Sequence, residues 1–375
     1  MNKLKILGLS MLVLPSIFVS CAKEDAGPII ADYPLNYEIP EIPVTKDYTV
    51  GAFYFNFTSW TGTVTSVPVV WPYTNTPTGI PAGVMQQHID QAKNGGLDFF
   101  IFSVRSLMYD ANSCKSDTVL INSFTNASNT NDMKFAVSFT FDKGKYNNIS
   151  TTKSLESQPA YLANFYKDVT FLAKYFSKSN YMKVGGKYLL YIKNASFVYA
   201  DNDSTIYANI RSQLSALGYE VFLVGGLPCW EPPARYLSRY YHCFDALYHE
   251  NMLVWPGGYS QWDRFMMFYQ FCNENWKYSK NYFEAKGVGY QPNISPAHNY
   301  KIANASSTNP NVLRGDEGKF FRTYCNIAKM NADTSRIILV DSWNNWAEDT
   351  QLEPNTIDTT FYLDILKQQF KVLNR

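Results

Sequence analysis

From Tyr48 onward the chain alternates short apolar runs with longer amphipathic stretches, eight of each. The strand-like runs are Tyr48–Phe57, Leu97–Val104, Met133–Asp142, Lys187–Lys193, Val221–Gly225, Asp245–Glu250, Val288–Ile294 and Arg336–Asp341. The helix-like stretches that follow them are Ala82–Gly95, Ser116–Asn129, Ala160–Phe176, Ser204–Leu217, Pro233–His242, Gln261–Phe283, Glu317–Asn331 and Thr359–Leu373. Gly95-Gly96 and Gly218 read as helix stops and Pro233 as a first-turn residue. Strands that are apolar throughout, separated by helices, belong to a parallel sheet covered on both faces. Eight such units after residue 46 predict a single α/β domain, a (β/α)8 barrel with insertions. A doubly wound open sheet would carry a Gly-rich phosphate loop after its first strand, and Phe55-Asn56-Phe57-Thr58 is not one.

The residues before the barrel address the chain. Met1–Lys5 carry two lysines, Ile6–Val19 are almost wholly apolar, and Phe18-Val19-Ser20-Cys21 reads as a lipoprotein cleavage site. This predicts a signal peptide over 1–20, a lipid on Cys21 and a tether over 21–46, with the barrel over 47–375. Lys23-Glu24-Asp25 resembles the surface-export tag of Bacteroides-type lipoproteins. The expected location is therefore the outer membrane, facing outward, with the N-terminal lipid as the sole membrane contact. Net charge is +1, so there is no basic face for nucleic acid. The cysteines besides Cys21 are five, no pair has metal-ligand spacing, and a Cys229–Cys243 bridge has nothing in its favour. The four histidines form no cluster, so neither a metal nor a cofactor is expected.

Reactive groups of such barrels stand at the C-terminal ends of the strands. Those positions hold Tyr54 and Asn56, then Ser103 and Arg105, Asp142, Lys193, Trp230 and Glu231, His249 and Glu250, and His298 and Asn299. The last strand runs directly into Asp341, Trp343, Asn345, Trp346, Glu348, Asp349 and Glu353. Carboxylates, amides and aromatic rings together suit the gripping of sugar hydroxyls and stacking on sugar rings, and aromatics make up 16% of the chain. There is no Ser-His-Asp pattern, reactive thiol context or phosphate cradle.

The segment Asp341–Pro354 reads DSWNNWAEDTQLEP. It resembles the W-N-E-W-x-E-G-x-x-x-E-P signature of the endo-α-mannosidases of glycoside hydrolase family 99 and of the related WbsX-like polysaccharide proteins. Weaker likenesses lie in GAFYFNF, VMQQHIDQAKNGGLDFFIFS, YMKVGGKYLLYI and ISPAHNY, so the resemblance spans most of residues 48–370. It implies a barrel acting on polysaccharide or oligosaccharide, with glycan-uptake proteins as further partners. In the mannosidases two glutamates three residues apart do the chemistry. The first deprotonates the substrate 2-hydroxyl, and the second protonates the leaving oxygen and then activates water. Carried over, the second is Glu348, the expected acid; the first falls on Asn345 and the following glycine on Asp349. Substrate contacts are expected from Tyr54, Asp142, Trp230, His249, Glu250, His298, Asn299, Trp343, Trp346 and Glu353.

An amide has no basic lone pair near neutral pH, so Asn345 cannot take the proton its glutamate counterpart takes. Three courses stay open. Another carboxylate (Asp349, Glu250 or Asp142) supplies the base; the chain binds glycan without cleaving it; or the chemistry follows a different route. A role in polysaccharide biosynthesis is a further reading, and export away from cytosolic sugar nucleotides counts against it.

Overall fold

The computed structural model describes residues 37–58, 67–70, 73–229, 242–254, 261–307 and 311–373, with side chains of 261–267 excepted. The helix expected over Pro233–His242, together with Trp230, Glu231 and Cys21, falls outside them save for His242. The compact unit runs from Glu38 to Arg375.

Its centre is a parallel sheet rolled into a barrel. The strands are β1 (Thr49–Tyr54), β2 (Phe99–Val104), β3 (Lys134–Thr140), β4 (Lys183–Val184), β5 (Lys187–Lys193), β6 (Val221–Leu227), β7 (Ala246–His249), β8 (Gly289–Tyr290), β9 (Asn293–Ile294) and β10 (Ile337–Val340). Neighbours run β8-β7-β6-β5-β3-β2-β1-β10-β9, all parallel except that β4 folds back on β5. That hairpin turns on Gly185 and Gly186, both at positive φ, the conformation a two-residue turn demands. β8 and β9 are two halves of one expected strand, divided at Gln291-Pro292, and they close the ring. Gln291 N donates to Leu247 O on one side, and Pro292 O accepts from Leu339 N on the other. Proline has no N–H to donate, so the strand can change partners here without orphaning a donor.

Among the described residues the helices are α1 (Ala82–Asn94), α2 (Ala111–Thr125), α3 (Pro159–Thr170), α4 (Asp203–Ala216), α5 (Gln261–Glu284), α6 (Lys319–Asn331) and α7 (Phe361–Phe370). They supply the outer layer that parallel strands need. The alternation thus produces the expected (β/α)8 barrel. Two boundaries differ. α2 starts five residues before the expected Ser116, because its first turn is polar and carries no apolar periodicity. Residues 38–46, expected in the tether, lie on the barrel: Ile42 N bonds Asn326 Oδ1 at 2.8 Å, Lys329 Nζ bonds Ile42 O at 2.7 Å, and Ile39 and Val44 pack on the core. Cys272 and Cys325 are buried, and no disulfide joins Cys229 to Cys243.

Candidate active site

Strand phase decides which side chains reach the barrel interior. Phe53, Phe99, Ile101, Ala136, Leu189, Tyr191, Val224, Ala246, Tyr248, Ile337 and Leu339 form an apolar plug inside the ring. Side chains alternate along a strand. Further along in the same phase stand Phe55, Ser103, Thr140 (beyond the buried Ser138), Lys193, Gly226, Glu250 and Asp341, the layer above the plug at the C-terminal end. Lys193 Nζ lies 3.5 Å from Glu250 Oε2 and over the rings of Phe53 and Phe55, at 5.5 and 5.9 Å from their centroids. Tyr248 OH donates to Glu250 Oε1 at 3.1 Å. A Cβ at residue 226 would come within 2.8 Å of Glu250 Oε1 and 2.9 Å of Tyr248 OH, so glycine there leaves the room that this pair occupies. A cavity of about 260 Å³ opens beside Lys193, lined by Phe55, Asn56, Ser103, Arg105 and Thr140 among others.

The loop after β10 adds Glu348 to this layer. It is braced internally: Asn345 N donates to Ser342 Oγ at 2.7 Å, and Leu352 N to Ser342 O at 3.0 Å. Asn345 Nδ2 donates to Glu348 Oε2 at 2.9 Å, so the amide positions the carboxylate. The turn after β9 meets it, with His298 Nε2 4.0 Å from Glu348 Oε2 and Asn299 N donating to Glu348 O at 2.6 Å. Burial raises the proton affinity of Glu348, against the opposing charge of Lys193 and the Asn345 hydrogen bond. Burial pushes the Asp341 carboxyl up to about 7; Lys193 opposes this, while Glu250 and Glu348 add to it. Burial works against the charge of Lys193, but Glu250, Asp341 and Glu348 together hold its proton more tightly than usual. These mutual influences place one cation among three carboxyls at the barrel mouth.

Several expected contacts stand elsewhere. Trp343 and Trp346 are 0% and 1% exposed, which leaves no face for a sugar ring. Trp343 packs against Phe100 and His88, with centroids 5.3 and 5.6 Å away. Trp346 Nε1 donates to Glu353 Oε2 at 2.8 Å. Glu353 also accepts from Tyr73 OH at 2.6 Å and meets His88 Nε2 at 2.9 Å, and His88 Nδ1 bonds Tyr54 OH at 2.7 Å. These residues form a buried polar brace between β1, α1 and the loop. Tyr54 borders the cavity, but its hydroxyl is held on the helix side. His249 is out of phase with Tyr248 and Glu250, and its Nδ1 lies 2.6 Å from Tyr290 OH. Asp349 pairs with Arg314 Nε at 2.8 Å. Asp142 sits exposed in a turn, accepting from Gly144 N at 2.8 Å. Of the three carboxylates weighed as a substitute base, Glu250 alone belongs to the interior ring. Asp341 and Lys193 stand among the polar strand ends but outside the expected site residues, because only the structure shows that Leu339 and Tyr191, two residues before them, face the interior. Among the described residues no three His, Cys, Asp or Glu side chains group as metal ligands.

A family model described as glycosyltransferase WbsX matches residues 83–366. The chain belongs to the WbsX family. A solved structure described as a glycoside hydrolase-like protein is 27% identical to this WbsX chain, with a TM-score of 0.82 over 90% of this chain and 98% of the other. The family 99 endo-α-mannosidase from Bacteroides thetaiotaomicron matches with a TM-score of 0.61 at 14% identity, over 87% of this chain and 97% of its own. In complex with bis-tris-propane, that mannosidase matches with a TM-score of 0.59 at 15% identity. The mannosidase likeness is one of fold. No match was found among curated proteins.

Proposed function

We propose that this WbsX protein is a glycoside hydrolase acting outside the cytoplasm on an α-mannoside-type polysaccharide, with Glu348 as general acid. The observation that carries this reading is the position of Glu348: a part-buried carboxyl of raised proton affinity at the barrel mouth, beside two further carboxyls. A carboxyl whose proton affinity burial has raised is a suitable donor to a leaving glycosidic oxygen, a service worth about 10²–10⁴-fold in rate. The family's glycosyltransferase description suits the mouth less well. A sugar nucleotide brings a diphosphate, and here three carboxyls surround a single lysine while Arg105 is paired with Asp117 at 2.7 Å. Lys193 and Arg105 are thus each already paired with a carboxylate, which leaves little positive potential for a phosphate.

The test is Glu348→Gln assayed on yeast α-mannan by release of reducing ends. We expect a loss of at least about 10²-fold; unchanged release removes Glu348 as the acid. Asn345 favours a second reading, a glycan-binding barrel without turnover. Mannan binding by the wild type without release, and release acquired by Asn345→Glu, support that reading. Membrane anchoring through Cys21 belongs to the same proposal. Cys21→Ser should abolish acylation and move the protein from the outer-membrane to the soluble fraction, and unchanged fractionation refutes the anchor.

A further inference from the structure

We propose that Asp341 is the catalytic base of this site, taking a proton from the water that attacks the anomeric carbon and so supplying the base that Asn345 cannot. This rests on the hydrolase reading above. Three observations carry it. The first is phase: Ile337, Leu339 and Asp341 share the interior face of β10, and Asp341 N continues the ladder by donating to Ile294 O at 2.9 Å. The carboxyl therefore rises from the plug into the mouth. The second is depth: Asp341 is buried, whereas Glu348 is only half-buried. One acid forms the floor and the other the rim, so a bound glycosidic linkage can lie between them. The third is availability. Glu250 is held by Lys193 and Tyr248, Asp349 by Arg314, and Glu353 by Tyr73, Trp346 and His88. Among the described residues no side chain or backbone donor is hydrogen-bonded to the Asp341 carboxyl, although it is more than nine-tenths buried.

The charged and titratable groups that act on Asp341 come from every side of the mouth. Lys193 of β5 favours its ionised form; Glu250 after β7 and Glu348 oppose it. Tyr248 of β7 and Tyr324 of α6 feel its charge in turn. The net result is a carboxyl poised near neutrality, basic enough to accept a proton and still substantially ionised, as a general base should be. The step balances as a single displacement. Water oxygen bonds to the anomeric carbon and its proton passes to Asp341. The glycosidic C–O bond breaks, its electron pair stays on the leaving oxygen, and that oxygen takes the proton of Glu348. Asp341 then releases its proton to solvent and Glu348 takes one up. The product is a sugar of inverted anomeric configuration.

The experiment compares wild type, Asp341→Asn and Glu348→Gln on yeast α-mannan and on an α-mannobiosyl fluoride, whose fluoride needs no acid to leave. We expect Asp341→Asn to lose about 10³-fold on both substrates, and Glu348→Gln to lose activity on mannan while retaining most of it on the fluoride. The anomer first seen by proton NMR should be inverted. Wild-type turnover with Asp341→Asn within about tenfold of it, or a retained anomer, overturns the assignment of Asp341 and leaves the hydrolase reading standing. A wild-type protein that turns over neither substrate sinks both. A measurement free of turnover is carboxyl carbon-13 NMR of labelled aspartate. Asp341 should titrate near neutral pH and shift downward in Glu348→Gln; titration in the ordinary aspartate range, indifferent to residue 348, overturns the proposal.

Discussion

Asp341 should make the fold less stable as pH rises, and Asp341→Asn should remove that dependence. In the unfolded chain its carboxyl ionises at an ordinary pKa of ~3.9, whereas in the fold burial pushes it up to about 7. Below the lower value both states are protonated and the residue is neutral in its effect. Between the two, unfolding releases a proton, so each rise in pH favours the unfolded chain. Above the upper value both states are ionised and the penalty is complete. At about 1.36 kcal/mol per pKa unit the full penalty is about 4 kcal/mol. Asparagine has nearly the same shape and no charge to bury. The stability difference between variant and wild type should therefore be small at pH 4, rise through pH 6 and level off near pH 8, with the variant the more stable. Urea unfolding followed by tryptophan fluorescence at those three values measures it. A difference that stays constant with pH, or one that grows toward acid, refutes the burial argument.

Other expectations follow from the same packing. Glu353→Leu strands the donors of Tyr73, Trp346 and His88 in a closed interior, and should cost about 3–5 kcal/mol by urea unfolding, with Glu353→Gln recovering part of it. Trp343→Ala empties a fully buried site against Phe100 and His88, and should cost about 3–5 kcal/mol by the same assay. Gly226→Ala pushes into Glu250 and Tyr248, and should cost only about 1–3 kcal/mol while lowering mannan turnover by displacing Glu250; turnover equal to wild type would show that Glu250 has no place in the site.

The barrel was legible because each strand is apolar through its length and each helix is amphipathic. The same apolarity hid the site. A parallel strand buried on both faces carries no alternation, so Ile337-Ile338-Leu339-Val340 gives no hint of which neighbour faces inward. Tyr54 and His249 look like site residues by position, yet they stand out of phase with Phe55 and Glu250. Trp343 and Trp346 read as sugar platforms because tryptophan at a strand end often is one. What places them in the interior is Glu353, seven residues past Trp346, which gives that indole its acceptor, and His88, distant in sequence, which gives the Trp343 ring its neighbour. The motif resemblance singles out Glu348, and His298 and Asn299 reach it because the short turn after β9 abuts the loop after β10. Asn345, unfit as a base, holds the Glu348 carboxylate by a hydrogen bond that an ionised glutamate could not donate.

The division of the closing strand at Gln291-Pro292 leaves the ring with a clasp instead of a continuous stave. β2 and β3 share six paired positions, whereas β8 meets β7 over two and β9 meets β10 over two. Any transient loosening of the cylinder starts at its least-laced joint. Asp341, through its amide on Ile294, is stitched to that joint. The floor of the mouth and the least-laced joint of the ring are thus one place.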